Sequence, residues 1–131
     1  MKKSKEDKKF TAYLGKGSNL TGNFNYDGVG RIDGNFKGEI NSKDKLIVGE
    51  TGSIEGNINV SELIVYGTIN GNIDVKKATI HKTGKIIGDF KVKNLITESG
   101  AIIEGTISMQ KQEDKNKIKD LKEFKEKIKK K

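Results

Sequence analysis

The stretch Ile69-Asn70-Gly71-Asn72-Ile73-Asp74-Val75-Lys76-Lys77-Ala78-Thr79-Ile80-His81-Lys82-Thr83-Gly84-Lys85-Ile86-Ile87-Gly88 holds one full period of this chain. Apolar and polar residues alternate in Ile73-Asp74-Val75 and again in Ala78-Thr79-Ile80. That two-residue period belongs to a strand with one face in and one face out. Helical spacing does not fit. Lys76-Lys77 and His81 to Lys85 read as turns between the strands. The following period repeats the plan as Phe90-Lys91-Val92, Leu95-Ile96-Thr97 and Ile103-Glu104-Gly105, with turns at Lys93-Asn94 and Glu98 to Ile102.

Working outward, the pattern apolar, any, Gly, any, apolar recurs along the chain. Its glycines are Gly22, Gly38, Gly56, Gly71, Gly88 and Gly105, at spacings of 16, 18, 15, 17 and 17 residues. A period of this size indicates stacked supersecondary units. Three short strands per period describe an all-β, single-domain, three-sided parallel β-helix of about six windings, spanning residues 11–109. Each winding pairs with the next through the backbone and buries its inward residues in a column along the axis. Expected inward positions are Leu46, Val48, Ile54, Ile58, Val60, Leu63, Val65, Ile69, Ile73, Val75, Ile80, Ile86, Phe90, Val92, Leu95, Ile103 and Ile107. The repeated Gly is expected at a corner that needs positive φ or close approach. Asn23, Asn57 and Asn72 follow it and suggest an Asn ladder.

Composition fits an economical core. Only 32% of the 131 residues are hydrophobic and 34% are charged, with 16 Gly, no Pro and no Cys. The lack of Cys excludes disulfides, thiolate metal sites and a Cys nucleophile. The longest apolar run, Leu63 to Tyr66, is far short of the ~20 residues that span a bilayer. The basic start Met1-Lys2-Lys3 is not followed by an apolar stretch, so no secretory signal is read and a cytoplasmic location is expected.

The net charge of +8 lies entirely in the tails. Residues 1–9 carry five Lys against two acids, and residues 110–131 carry ten Lys against five, which leaves the repeat region neutral. That argues against specific nucleic-acid recognition, which wants a basic stripe on the folded part. Residues 1–10 read as a disordered basic tail. Residues 110–131 read as a Lys-rich amphipathic helical or disordered tail, with Ile118, Leu121, Phe124 and Ile128 on one apolar face suited to membrane or partner contact.

Several pieces of the repeat, in order, resemble the bactofilins. They are Tyr13-Leu14-Gly15-Lys16-Gly17-Ser18, Arg31-Ile32-Asp33-Gly34, Leu46-Ile47-Val48-Gly49-Glu50, Ile64-Val65-Tyr66-Gly67 and the Gly-Asn-Ile steps at Gly56 and Gly71. The resemblance covers about residues 11–109. It implies a right-handed β-helix that polymerises end to end, without nucleotide, into a bacterial cytoskeletal filament. It also implies a scaffold that localises cell-shape or cell-wall machinery, with morphogenetic proteins as partners. Peripheral contact with the inner face of the cytoplasmic membrane follows from the same resemblance.

No cofactor or metal is expected, and no enzyme activity. His81 is the single His and falls in a turn. No G-x-x-x-x-G-K-[ST] phosphate loop is present. A β-helix leaves an unpaired strand edge and an open apolar column at each end, and such edges template pairing. The self-association candidates are therefore Leu14, Leu20 and Phe24 at one end and Ile103, Ile107 and Met109 at the other. A second surface is the outward residue of each second strand: Tyr13, Arg31, Ile47, Ile64, Thr79 and Ile96, a lateral or partner strip. Two alternatives stand beside the scaffold reading. One is a left-handed hexapeptide-repeat acyltransferase-like protein, which wants a strict six-residue period and a catalytic His. The other is a nucleic-acid-associated protein acting through its basic tails.

Overall fold

The computed structural model describes residues 10–109. The chain forms β1 (Ala12–Leu14), β2 (Asn19–Asn25), β3 (Val29–Ile32), β4 (Asn35–Asn41), β5 (Lys45–Val48), β6 (Ser53–Val65), β7 (Thr68–Ile80), β8 (Lys85–Val92), β9 (Asn94–Thr97) and β10 (Ile102–Met109). Every pairing is parallel. Strands stack as β1-β3-β5-β6-β7-β8-β10, with β2-β4-β6 and β7-β9 alongside. This is the all-β parallel solenoid of about six windings that the repeat predicts.

The six repeat glycines stand in one register, Gly22 on Gly38, Gly56, Gly71, Gly88 and Gly105. All six have positive φ, between 129° and 151°. A Cβ there would also strike backbone: at Gly38, Gly56, Gly71, Gly88 and Gly105 it would land on the carbonyl oxygen of the glycine one winding earlier. Both demands are met only by glycine, so the motif is a stacking device as well as a corner.

Inside, residues stack like on like. One column runs Leu20, Phe36, Ile54, Ile69, Ile86, Ile103, and a second runs Phe24, Ile40, Ile58, Ile73, Phe90, Ile107. Leu46, Val48, Leu63, Val65 and Ile80 line the third side and are fully buried. No polar or charged side chain is buried among the described residues. Each fully buried Ile or Leu contributes about 1.5–3 kcal/mol, and the ladder satisfies the backbone groups that surround it. This is how a chain of low apolar content closes a core.

The structure revises four details of the sequence reading. Lys76-Lys77 is not a break: β7 runs unbroken from Thr68 to Ile80, and β6 likewise from Ser53 to Val65. Ile58 to Leu63 and Ile73 to Ala78 take five residues and stay extended, whereas Phe24 to Gly30 and Ile40 to Leu46 take six and interrupt the strands; the five-residue corner from Phe90 to Leu95 is interrupted too, at Lys93 between β8 and β9. Ile32, Phe36, Ile40 and Ala78 join the core. Leu95 and Ile103 are only partly buried and Ile107 is 42% exposed, because no described winding lies beyond them. The Asn ladder is broken at the second winding, where Glu39 stands between Asn23 and Asn57. Asn72 Nδ2 does donate to Asn57 Oδ1 at 3.2 Å.

One core contact was invisible in the repeat. Gly30 occupies the register position of Leu46, which would leave a gap. The Tyr26 ring fills it: a Cβ on Gly30 would lie 2.6 Å from Tyr26 Cζ. The Tyr26 hydroxyl donates to the Lys45 carbonyl at 2.7 Å, and burial of the phenol pushes its pKa up.

Candidate functional site

At the N-terminal end, the outer edge of β2 has no strand partner among the described residues. Leu20 is exposed, while Leu14 and Phe24 are partly buried against the core. Phe24 stays half-covered because its ring lies 5.4 Å from that of Tyr26 and 6.1 Å from that of Phe36. A Cβ on Gly22 would meet no described residue within 4 Å, whereas the same corner is blocked by backbone in every later winding. At the C-terminal end the outer edge of β10 likewise has no strand partner among the described residues, with Ile107 and Met109 exposed and Ile103 half-covered. The six rod-end residues thus fall into two end patches, as their positions in the sequence imply. The C-terminal patch is the more exposed, since two of its three side chains have lost their cover.

The outward strip is equally clear in the registers. Tyr13 pairs with Arg31, Arg31 with Ile47, Ile47 with Ile64, Ile64 with Thr79 and Thr79 with Ile96. Tyr13 and Ile96, at its two ends, are 59% and 53% exposed. Arg31, Ile47, Ile64 and Thr79 are half-buried between their neighbours.

Two columns flank this strip. On one side Lys45 lies 4.0 Å from Glu62, and Lys77 stands next to Glu62 in register. On the other side the order is Asp33, Gly49, Tyr66, His81, Glu98, linked by backbone bonds from Gly49 to Ile32, Tyr66 to Val48, His81 to Val65 and Glu98 to Ile80. Arg31 Nε pairs with Asp33 Oδ2 at 2.9 Å, and Gly49 leaves room for that pair. A hydrogen bond to the Asp33 carboxylate, reinforced by its charge, raises the Tyr13 pKa.

His81 is not the free turn residue expected from sequence. Its ring stacks on Tyr66, centroids 4.3 Å apart and 2° from parallel, and its Nδ1 lies 3.2 Å from Glu98 Oε1. The same oxygen accepts the Lys82 backbone N–H at 2.8 Å. That bond first, and the His81 contact second, hold the Glu98 carboxyl below the usual range. The signal for this ladder was the 15- and 17-residue spacing from Tyr66 to His81 and from His81 to Glu98, which matches the glycine spacing.

A surface concavity lies on another face, between Asn25, Asn41, Asn59, Asp74 and Lys76. Among the described residues no group of three or more His, Cys, Asp or Glu is placed to hold a metal ion. No helix among them is long and apolar enough to cross a membrane. The observed registers give windings of 15 to 18 residues rather than a six-residue grid. Ile118, Leu121, Phe124 and Ile128 lie outside the described residues.

Fold and ends together define a class of protein: a short parallel β-solenoid whose two end edges have no strand partner among the described residues. The family described as Bactofilin, polymer-forming cytoskeletal, matches residues 12–108. The chain belongs to the bactofilin family, whose members form homopolymeric filaments. It is 30% identical over 83 residues to bactofilin BacO of Myxococcus xanthus, covering 63% of this chain and 66% of BacO. It is 29% identical over 79 residues to BacP of the same organism, covering 60% of this chain and 33% of BacP. The matched region therefore spans less than two thirds of either curated relative. The structure is similar to a solved Thermus thermophilus bactofilin from double helical filaments, with a TM-score of 0.66 and 25% identity, covering 74% of this chain and 99% of that one.

Proposed function

We propose that this chain polymerises end to end through its solenoid ends, without nucleotide, and that the filament serves as a scaffold for cell-shape or cell-wall machinery. The observation that carries this reading is the pair of edges, β2 and β10, that have no strand partner among the described residues, each beside an apolar column that no described residue covers. An unpaired edge of this kind templates a further strand, and here the next strand is supplied by another copy. The filaments named for the Thermus thermophilus relative support the same reading. In this view residues 11–109 are the polymerising unit, and Leu14, Leu20, Phe24, Ile103, Ile107 and Met109 form its joints.

The tails have a separate role in the proposal. Ile118, Leu121, Phe124 and Ile128, flanked by Lys, suit peripheral contact with an anionic membrane or a morphogenetic partner. On this reading the filament lies in the cytoplasm, at the inner face of the membrane. The test is truncation after Met109. The shortened chain is expected to keep its β circular dichroism spectrum and to lose sedimentation with acidic liposomes. Unchanged sedimentation would remove the membrane role. The scaffold reading itself is tested by Ile107→Arg and Leu14→Arg, each of which should leave a soluble β-rich monomer.

A further inference from the structure

We infer that the face carrying the Ile47–Ile64 strip is a docking surface for a second copy of this chain, packed face to face and antiparallel. The two-fold axis lies midway between the third and fourth windings. The inference uses the filament reading only for avidity; the pairing geometry rests on the rod face alone.

Turning the face over about that axis sets the third winding against the fourth, the second against the fifth and the first against the sixth. Each column then meets its own column in reverse order. Lys45 opposes the second copy's Glu62, so the 4.0 Å pair within one chain becomes an alternating quartet of two cations and two anions. Ile47 opposes Ile64. Tyr66 opposes Gly49, beside a shallow depression lined by Arg31, Asp33 and Tyr66 itself. The phenol ring there meets a guanidinium and a carboxylate, groups that an aromatic face and a hydroxyl both accommodate. Asp33 opposes His81. Tyr13 opposes Ile96, and these are the two most exposed apolar side chains of the face.

Other arrangements do not match in this way. Parallel rods would bring Arg31 against Arg31 and Lys45 against Gly49. Moving the antiparallel axis one winding further along would set Tyr66 against His81, ring on ring, and leave the first two windings uncovered. Of these arrangements, the one with its axis at the middle of the rod alone opposes Lys45 to Glu62 while covering all six windings; its second-against-fifth row, Val29 to Lys77 and Arg31 to Thr79, adds no charge pair in those two columns.

The face measures about six windings by five extended residues, or roughly 450 Å² a side. That is a weak contact for one pair of rods. Repeated along a filament, it becomes multivalent and strengthens with length.

The chain has no Cys, so the full-length Arg31→Cys/Thr79→Cys variant carries only the two thiols placed for the test. Within one rod these positions are three windings apart, roughly 14 Å, and end-on stacking leaves them no closer. The antiparallel pair sets them opposite each other across a sheet gap of about 10 Å, which a short bismaleimide bridges. The expected result is a covalent dimer from the double variant and from neither single variant. Dimers from Arg31→Cys alone would mean parallel pairing and would overturn the inference.

A second arm uses charge. Glu62→Lys places four Lys together and should weaken lateral association about tenfold or more, read by low-speed sedimentation. Lys45→Glu/Glu62→Lys should restore it. Single filaments with no covalent dimer from the double Cys variant would overturn the pairing and leave end-on assembly standing. Covalent dimers that never lengthen would do the reverse.

Discussion

Gly88 stands directly on Gly71, and a Cβ added to Gly88 would land on the Gly71 carbonyl oxygen. The same relation repeats down the column, and it ends at Gly22, where no described residue lies within 4 Å of the added atom. The direction matters. Each glycine faces the winding before it, so the open side of Gly22 faces out of the N-terminal end of the rod.

Gly71→Ala and Gly22→Ala should therefore differ. The first combines a disfavoured φ with a backbone clash and should destabilise the fold by about 3–5 kcal/mol. The second carries only the strain of its φ, about 1–3 kcal/mol. Yet its methyl group projects into the site of the next copy, so Gly22→Ala should fold and fail to assemble through that end. Thermal melts of both variants, with light scattering, check the contrast. Equal melts would show that the column is not packed as described.

Tyr26 and Gly30 should behave as one unit. Tyr26→Phe removes the bond to the Lys45 carbonyl and should cost about 1 kcal/mol. Gly30→Ala pushes against the ring and should cost about 1–3 kcal/mol. In the Tyr26→Ala background the Gly30→Ala penalty should vanish or reverse, because the added methyl then fills space. Denaturant unfolding of the double-mutant cycle measures that coupling; simple additivity would contradict the contact.

The last winding should loosen in acid. Glu98 has a carboxyl pKa held below its usual value, first by the Lys82 N–H and then by His81. A depressed folded-state pKa gives stabilisation that is present above the ordinary value of about 4.3 and is lost as pH falls through the folded value. Amide exchange at Lys82 should show protection at pH 6 that fades below pH 4, and Glu98→Gln should remove this pH dependence. Exchange at Lys82 that is indifferent to both would contradict the bond.

Much of this architecture was legible because the repeat is written in residue types with single uses. Glycine at 38, 56, 71, 88 and 105 is demanded by backbone, and the apolar residues on either side are demanded by the axial column. The strip from Tyr13 to Ile96 could be read because alternation fixes outward positions. What escaped was set by contacts between windings whose residues share no pattern. Tyr26 enters the core only because Gly30 lacks a side chain. His81 does open the turn closed by the Gly84 N–H, but its stacking on Tyr66 stayed hidden because that depends on register, not on neighbours in sequence. Lys76-Lys77 reads as a turn because two charged residues in a row interrupt alternation, yet β7 runs extended through them. Burial at the ends was overestimated for Ile107, since its column position says inward but no described winding covers it.

Electron microscopy of the purified full-length chain, in negative stain and without nucleotide, tests the central claim most directly when Ile107→Arg is imaged beside it. End-on assembly predicts filaments from the unaltered chain and only short, soluble particles from Ile107→Arg, with the β circular dichroism spectrum of both unchanged. Discrete particles from the unaltered chain, or filaments of normal length from both, would contradict it.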